Sequence, residues 1–446
     1  MNRDAAMGPA ASAATRALPS MRGLRGWATR WRIEWMVVVL LPLALAAAMQ
    51  VAGEASLLRY LREWLRMSAW VDSWAPMERA LPLMRQAGVR AYDVLFFGEG
   101  VKFQYPPTSL VVHELAARMG WPLTVQGLNL VNWFLVWVYA ALCGVFGWRL
   151  AASSHEGKAD RAMAGVLAAC MVVLSYPVIK AFTLGQVQLL LDVAFVAACL
   201  AWLGGRKFAC GALVGAICLV KPQFSLFLVW ALLRGQWRFL GGWAVVVAAG
   251  LALSLSFFGW RNHFDYLRVL GALSATGETY YPNQSVNGIL NRLFGTAPVT
   301  TWQANGFPAY HPWVHAVTFA SSLLLIGVVL LLRRHTRPRL LDFQAAALAF
   351  TIASPIAWEH HYGILPPMLV ALDFALGRET PHGSARGACI LLAACCLLAG
   401  THLGIAHHAQ TGPATLLHSY LFAAALGVLW LLLRHAPKVA PHARHS

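Results

Sequence analysis

The sequence strings together about a dozen apolar runs, most of them near the roughly 20 residues that carry a helix across a hydrocarbon core. They fall near residues 33–52, 123–149, 161–178, 185–204, 207–220, 222–235, 237–259, 312–333, 341–357, 361–377, 386–404 and 415–434. The rest of the chain cannot cover a water-facing surface: only 12% of its 446 residues are charged, against about 25% in soluble domains. The fold class expected is an all-α polytopic membrane protein with about twelve transmembrane helices.

Charge sets the topology. Basic residues cluster at Arg206 and Lys207, at Arg234 and Arg238, at Arg333, Arg334, Arg337 and Arg339, and at Arg378 and Arg386. Alternation of spans puts these connections on one side, together with the basic leader 1–32, and the Lys/Arg bias makes that side cytoplasmic. The membrane domain then covers 33–434, with outer loops 53–122 and 261–311, and the basic tail 435–446 is cytoplasmic. The run at 33–52 is too long for a signal-peptide core and reads as a retained span. A competing arrangement spans 107–120 and fuses 207–235, but it leaves more basic residues outside. The net charge of +17 therefore reflects topology and contact with membrane lipids, not nucleic acid. All eight cysteines lie in apolar runs, so neither a disulfide framework nor a zinc site is indicated. Nothing calls for a metal or other cofactor, and neither a phosphate-binding nor a dinucleotide-binding glycine loop is present.

The outer loop 53–122 opens with two amphipathic pieces, 54–70 and 76–87. In the first, Leu57, Leu61, Trp64 and Leu65 share a face; such helices lie in the interface plane. Between the two pieces sits Asp72, flanked by Trp70 and Trp74. A carboxylate there is either a base with a raised pKa or the cap of the following helix. Segment 107–119 is a half-helix or a compressed span.

Further polar groups stand out against the apolar background. Phe103-Gln-Tyr-Pro-Pro107 enters the next segment rigidly. Gln186 and Gln188, in Gly185-Gln-Val-Gln188, need partners inside a membrane helix, which other helices supply as readily as a ligand. Lys221 interrupts an apolar stretch; it either meets a phosphate or snorkels to the surface. Asn283, Gln284, Ser285 and Asn287 offer groups that suit sugar hydroxyls, and Arg292 suits a phosphate. Trp358, Glu359, His360 and His361 join two spans at the outer surface, where phosphate contact, proton handling or plain interfacial packing are all open.

Read in order, Asp72 with its aromatic neighbour, Gly88 to Tyr92, Tyr105-Pro-Pro, Gly185-Gln-Val-Gln, Lys221-Pro, Asn283-Gln-Ser and Trp358-Glu-His-His resemble glycosyltransferase family 87 over roughly residues 70–375. The resemblance implies a GT-C-type membrane bundle and an inverting transfer of one sugar, commonly mannose or arabinofuranose. The donor would be a polyprenyl-phosphate sugar and the acceptor a lipid or glycan, on the periplasmic face of the inner membrane. It implies that Asp72 is the base, with Asp93 as rival, and that Trp358, His360 and His361 meet donor phosphate or acceptor. Lys221 and Arg292 join them as phosphate ligands; Tyr105, Gln186, Gln188, Glu359 and the 283–287 amides are expected to hold sugar or acceptor. A polyprenyl phosphate leaves easily, so one carboxylate base suffices where a glycosidase needs two carboxyls. The alternatives are a transporter or lipid-linked-sugar flippase, lining a path with the same polar groups, and a ligase moving a whole glycan.

Overall fold

The computed structural model describes residue 33 and residues 36–435, apart from 154–156, 296–297, 333–338 and 378–383. The basic leader, Arg333, Arg334, Arg337, Arg378 and the tail beyond His435 lie outside the described residues. Within them the chain is helical and forms no strand; isolated bridges join Val101 to Asn305 and Asn283 to Trp358.

The apolar runs are helical, but fewer reach spanning length than the hydropathy pattern predicts. Among the described residues four helices are long and apolar enough to cross a membrane: Val125–Ser153, Trp237–Thr276, Pro312–Leu331 and Gly412–His435. Lys158–Val173 and Tyr176–Leu184, bent by 46°, make a fifth if taken as one span. Met36–Val51, Gln188–Leu203, Lys207–Cys218, Pro222–Leu233, Leu340–Ile352 and Arg386–Ala399 are apolar but shorter. The shortening has a local cause. Proline or polar residues break the helical ladder at Ser175 and Pro177, at Lys221 and Pro222, and between Leu340–Ile352 and Leu365–Leu376. Hydropathy registers the apolar composition on either side of a break, not the missing hydrogen bonds. Such breaks are tolerated at membrane depth where protein or a cavity satisfies the freed backbone.

Segment 107–119 is a half-helix: a 3-10 turn, Pro107–Leu110, followed by Val111–Arg118. Its Glu114 is buried and accepts from Arg85 Nε at 2.6 Å and Arg118 Nε at 2.7 Å. The amphipathic pieces appear as Leu57–Leu65 and Trp74–Arg85. The buried face of the first is Leu57, Tyr60 and Trp64, whereas Leu65 points outward and is 67% exposed. The span expected to end at 259 does break there, at Gly259 with φ 69°, but a further helical stretch runs on to Thr276 into the expected outer loop.

Two cores result. The larger fills the bundle; the smaller, outside it, gathers Trp74, Met77, Tyr92, Phe96, Phe103, Tyr266 and Val269 beneath the first outer loop and the 260–276 stretch. Helices Lys207–Cys218 and Trp237–Thr276 approach through Gly211, Gly215 and Gly242: a Cβ on Gly211 would stand 1.9 Å from Phe239 O, and one on Gly242 would stand 2.0 Å from Phe208 O. Small residues at such spacing let membrane helices meet backbone to backbone.

Arg234 and Asp342 form a buried pair, with side chains 0% and 5% exposed. Arg234 also donates to Leu330 O and Val329 O, and Trp230 Nε1 donates to Asp342 Oδ2 at 3.1 Å. Removing one partner strands the other charge, so Asp342→Ala should destabilise the detergent-solubilised protein by about 3–5 kcal/mol. Asp342→Asn, which keeps an acceptor for Trp230, should cost less; thermal or denaturant midpoints measured side by side decide it.

Candidate active site

Between the two cores lies a cavity of about 240 Å³. It is lined by residues brought from seven stretches of chain, among them Asp72, Lys102, Tyr105, Gln186, Lys221, Tyr266, Trp302, Trp358, His360 and His361.

Asp72 is placed by backbone pairing. Helix Tyr176–Leu184 ends at Gly185, in the left-handed region with φ 67°. Its open carbonyls are taken by the segment before helix Trp74–Arg85: Trp70 N donates to Thr183 O at 2.8 Å, Asp72 N to Leu184 O at 2.9 Å and Ser73 N to Gly185 O at 3.2 Å. The approach needs a glycine, since a Cβ on Gly185 would stand 2.2 Å from Trp70 O. Asn129 locks the outer side, donating to Trp70 O and accepting from Trp74 Nε1.

The Asp72 carboxylate caps no helix; it accepts a hydrogen bond from Gln186 Nε2. Ser73 Oγ donates to Gln186 Oε1 at 2.6 Å and Tyr105 OH approaches the same oxygen at 3.2 Å. Two hydroxyls on its oxygen turn the Gln186 amide nitrogen towards Asp72. Asp72 is open to the cavity yet crowded by protein, and this desolvation holds its pKa above the usual carboxylate value. The Gln186 hydrogen bond and the charges of Lys180 and Lys102 only partly offset it.

Cationic and imidazole groups line the same cavity. Lys221, at the break before Pro222, meets His361 Nε2 through its Nζ. His361 Nδ1 accepts from the Trp358 backbone N–H at 3.3 Å. Burial, with Lys221 and Lys180 nearby, holds the His360 pKa well below its ordinary value, so it presents a neutral imidazole. Lys102 pairs with Glu278 and lies over the Trp302 ring, 4.0 Å from its centroid. The Tyr105 segment is tied down by Tyr92 OH on Tyr105 O, by Tyr266 OH on Gln104 O, and by Thr108, whose hydroxyl donates to Leu219 O beside the lysine break.

Of the residues singled out in the sequence, the cavity thus unites Asp72, Tyr105, Gln186, Lys221, Trp358, His360 and His361. The others lie outside its lining. Gln188 turns away, donating to the buried Asp192 at 2.8 Å. Glu359 is buried behind the histidines, accepting from Tyr176 OH at 2.7 Å. Asp93, the rival base, is paired with Arg268 and Arg90. Asn283, Gln284, Ser285, Asn287 and Arg292 bind protein: Asn283 takes the Ala357 N–H and donates to Pro355 O, Gln284 bridges Tyr281 O, His418 O and Phe422 N, and Ser285 caps its helix at Gly288 N. Asn287 accepts from Glu278 N, and Arg292 donates to Asn283 O and Ser419 Oγ. Sequence reasoning missed Ser73, Lys102, Gln223 and Tyr266. Adjacency to Asp72 and to the Tyr-Pro-Pro motif could have flagged the first two; nothing in the pattern points to Tyr266.

The cavity therefore holds a carboxylate together with lysine and imidazole groups. The profile of glycosyltransferase family 87 matches residues 103–357. A mannosyltransferase of Mycobacterium tuberculosis (strain CDC 1551 / Oshkosh) is 25% identical over 289 residues, covering 64% of this chain and 61% of the relative. It is described as polyprenol-phosphate-mannose-dependent alpha-(1-2)-phosphatidylinositol pentamannoside mannosyltransferase. The match thus spans less than two thirds of that relative's length.

Whatever the cavity holds, its geometry rests on Gly185. Gly205 has a similar φ, 71°, with nothing near its absent Cβ. Gly205→Ala should therefore lose only the ~1–2 kcal/mol of left-handed strain. Gly185→Ala adds a collision with Trp70 O and should lower the thermal midpoint clearly further; equal midpoints would remove the docking role.

Proposed function

Because the chain belongs to glycosyltransferase family 87, we propose that it transfers a single sugar, mannose, with inversion from a polyprenyl-phosphate donor to a lipid or glycan acceptor. The observation that carries the reading is the single cavity shared by Asp72, Lys221, His360 and His361. The relative's dependence on polyprenol-phosphate-mannose supports the donor class and the sugar. Asp72 takes the proton of the acceptor hydroxyl as that oxygen bonds to the anomeric carbon. The bond from that carbon to the phosphate oxygen breaks, and polyprenyl phosphate departs with its electron pair. Lys221 and the histidines stabilise the charge that gathers on the phosphate, where a low-dielectric site makes them effective. Tyr105, Gln186 and Trp358 border the space left for sugar and acceptor.

The proposal carries a topology. About twelve membrane-embedded segments form one domain over 33–434, with both termini cytoplasmic in the inner membrane. The loops 53–122 and 261–311 are outer, and the cavity opens to the periplasm. Trp260, Phe264 and Leu267, on the stretch after Gly259, are exposed apolar side chains; they would face lipid beside the cavity wall formed by Tyr266 and Leu273.

Purified protein given a short-chain prenyl-phosphate mannose and candidate acceptors tests the reaction. Asp72→Asn should lower transfer by about 10²–10⁴-fold while donor binding and the thermal midpoint persist; wild-type turnover in that variant would remove Asp72 from the mechanism. The rate should fall as pH drops through the raised Asp72 pKa, because only the carboxylate accepts a proton. Gln186→Leu deletes a hydrogen bond that favours the carboxylate, so the acidic limb of its pH–rate profile should move to higher pH. An unmoved limb would assign it to another group.

A further inference from the structure

A second feature lies apart from this cavity. Helix Leu57–Leu65 cannot roll: Leu57, Tyr60 and Trp64 are buried, and Tyr60 packs on Tyr176 with ring centroids 5.3 Å apart and under Lys180 at 4.7 Å. Its other face, with Arg59, Arg62 and Arg66, borders a groove of about 400 Å³ whose far edge is Gln50 and Gly53. Gln50 lies in the last turn of the first apolar helix, Met36–Val51, and Gly53 just past its end, so the groove adjoins the end of an apolar helix.

Charge in the groove is uneven. Glu63 is engaged by Arg59 Nε at 3.3 Å, and Glu54 by His408 Nε2 at 2.6 Å. Among the described residues Arg62 and Arg66 have no carboxylate partner and are exposed. Immediately beside them Leu65, Met67, Trp70 and Val71 are 67%, 52%, 71% and 41% exposed. A face meant for water alone would not carry that apolar edge. A face that meets a leaflet would, with guanidinium forks at phosphate level and apolar side chains below them.

We propose that Arg62 and Arg66 bind the phosphate of an anionic phospholipid drawn from the surrounding leaflet, with Leu65, Met67 and Trp70 against its acyl region. The lipid lies one turn of chain ahead of Asp72 and fixes the depth at which that loop sits. This site is independent of the sugar-transfer reading, and its test needs no turnover.

The full chain is reconstituted in phosphatidylcholine vesicles containing a trace of phosphatidylglycerol with a photoactivatable head group, and the crosslinked peptide is mapped. In the wild type the label should fall on the 57–71 segment. Excess phosphatidylglycerol should compete it away, and excess phosphatidylcholine should not. Arg62→Gln/Arg66→Gln should reduce that crosslink on the order of tenfold, with the thermal midpoint unchanged. Arg62→Lys/Arg66→Lys, which keeps the charge without the fork, should retain most of the preference and serves should the glutamine variant fail to fold. No label on this segment, equal competition by phosphatidylcholine, or full labelling of the glutamine variant would each overturn the proposal.

Discussion

A helix that stops inside a membrane protein leaves its last carbonyl groups without partners, and in a low-dielectric setting each unpaired group costs free energy. Here the end of helix Tyr176–Leu184 is completed by the backbone of a distant loop. Trp70, Asp72 and Ser73 supply the N–H groups that the carbonyls of residues 183–185 require. The same pairing that satisfies the helix end sets the position of Asp72. Gln186, one residue past the turn, is then within reach of its carboxylate. Helix termination and site geometry are a single interaction, which is why the loop carrying an acidic residue can be rigid without being part of the bundle.

The polar residues that look costly in the sequence divide into two sets. One set faces the cavity. The other is a clamp: Asn283, Gln284 and Ser285 hold the outer segment against the turn that bears the histidines. Gln284 N donates to Ala357 O, Glu359 N donates to Pro282 O, and the Tyr362 hydroxyl donates to Gln284 O. This clamp joins the outer segment to the turn between Leu340–Ile352 and Leu365–Leu376, and through His418 O and Phe422 N to the last helix. Its bearing on the site is positional, because the turn it fixes is the one that delivers Trp358, His360 and His361.

This division explains what was legible beforehand. Apolar runs showed where helices lie but not their ends, and the run at 237–259 continues to Thr276. They did not show where the ladder breaks, because a proline or lysine inside an apolar window barely changes its average. The grouping of Asp72, Gln186, Lys221 and His360 could be read as a set of out-of-place polar residues, but the contact between Asp72 and Gln186 could not, being made across 114 positions of chain. An amide that clamps a backbone and one that holds a sugar are the same residue type, so the 283–287 cluster carried no mark of its present bonding. Leu65 stands differently: periodicity grouped it with Leu57, Leu61 and Trp64, whereas the buried face is centred on Leu57, Tyr60 and Trp64, and an interfacial helix can leave a leucine exposed without penalty.

The electrostatics of the cavity follow from where its charges sit. Lys102 already has Glu278 for a partner. Lys221 instead faces an imidazole, with the buried Asp192 acting on it only from the next helix. A lysine held in such a place is expensive while nothing negative lies before it, and the cost falls when an anionic head group enters. On the proposed reading the site therefore gives up stability when empty and recovers it on binding donor. Asp72 lines the same cavity, but its carboxylate takes its hydrogen bond from Gln186 rather than from the lysine. On that reading a carboxylate and a phosphate share one small space without the carboxylate neutralising Lys221.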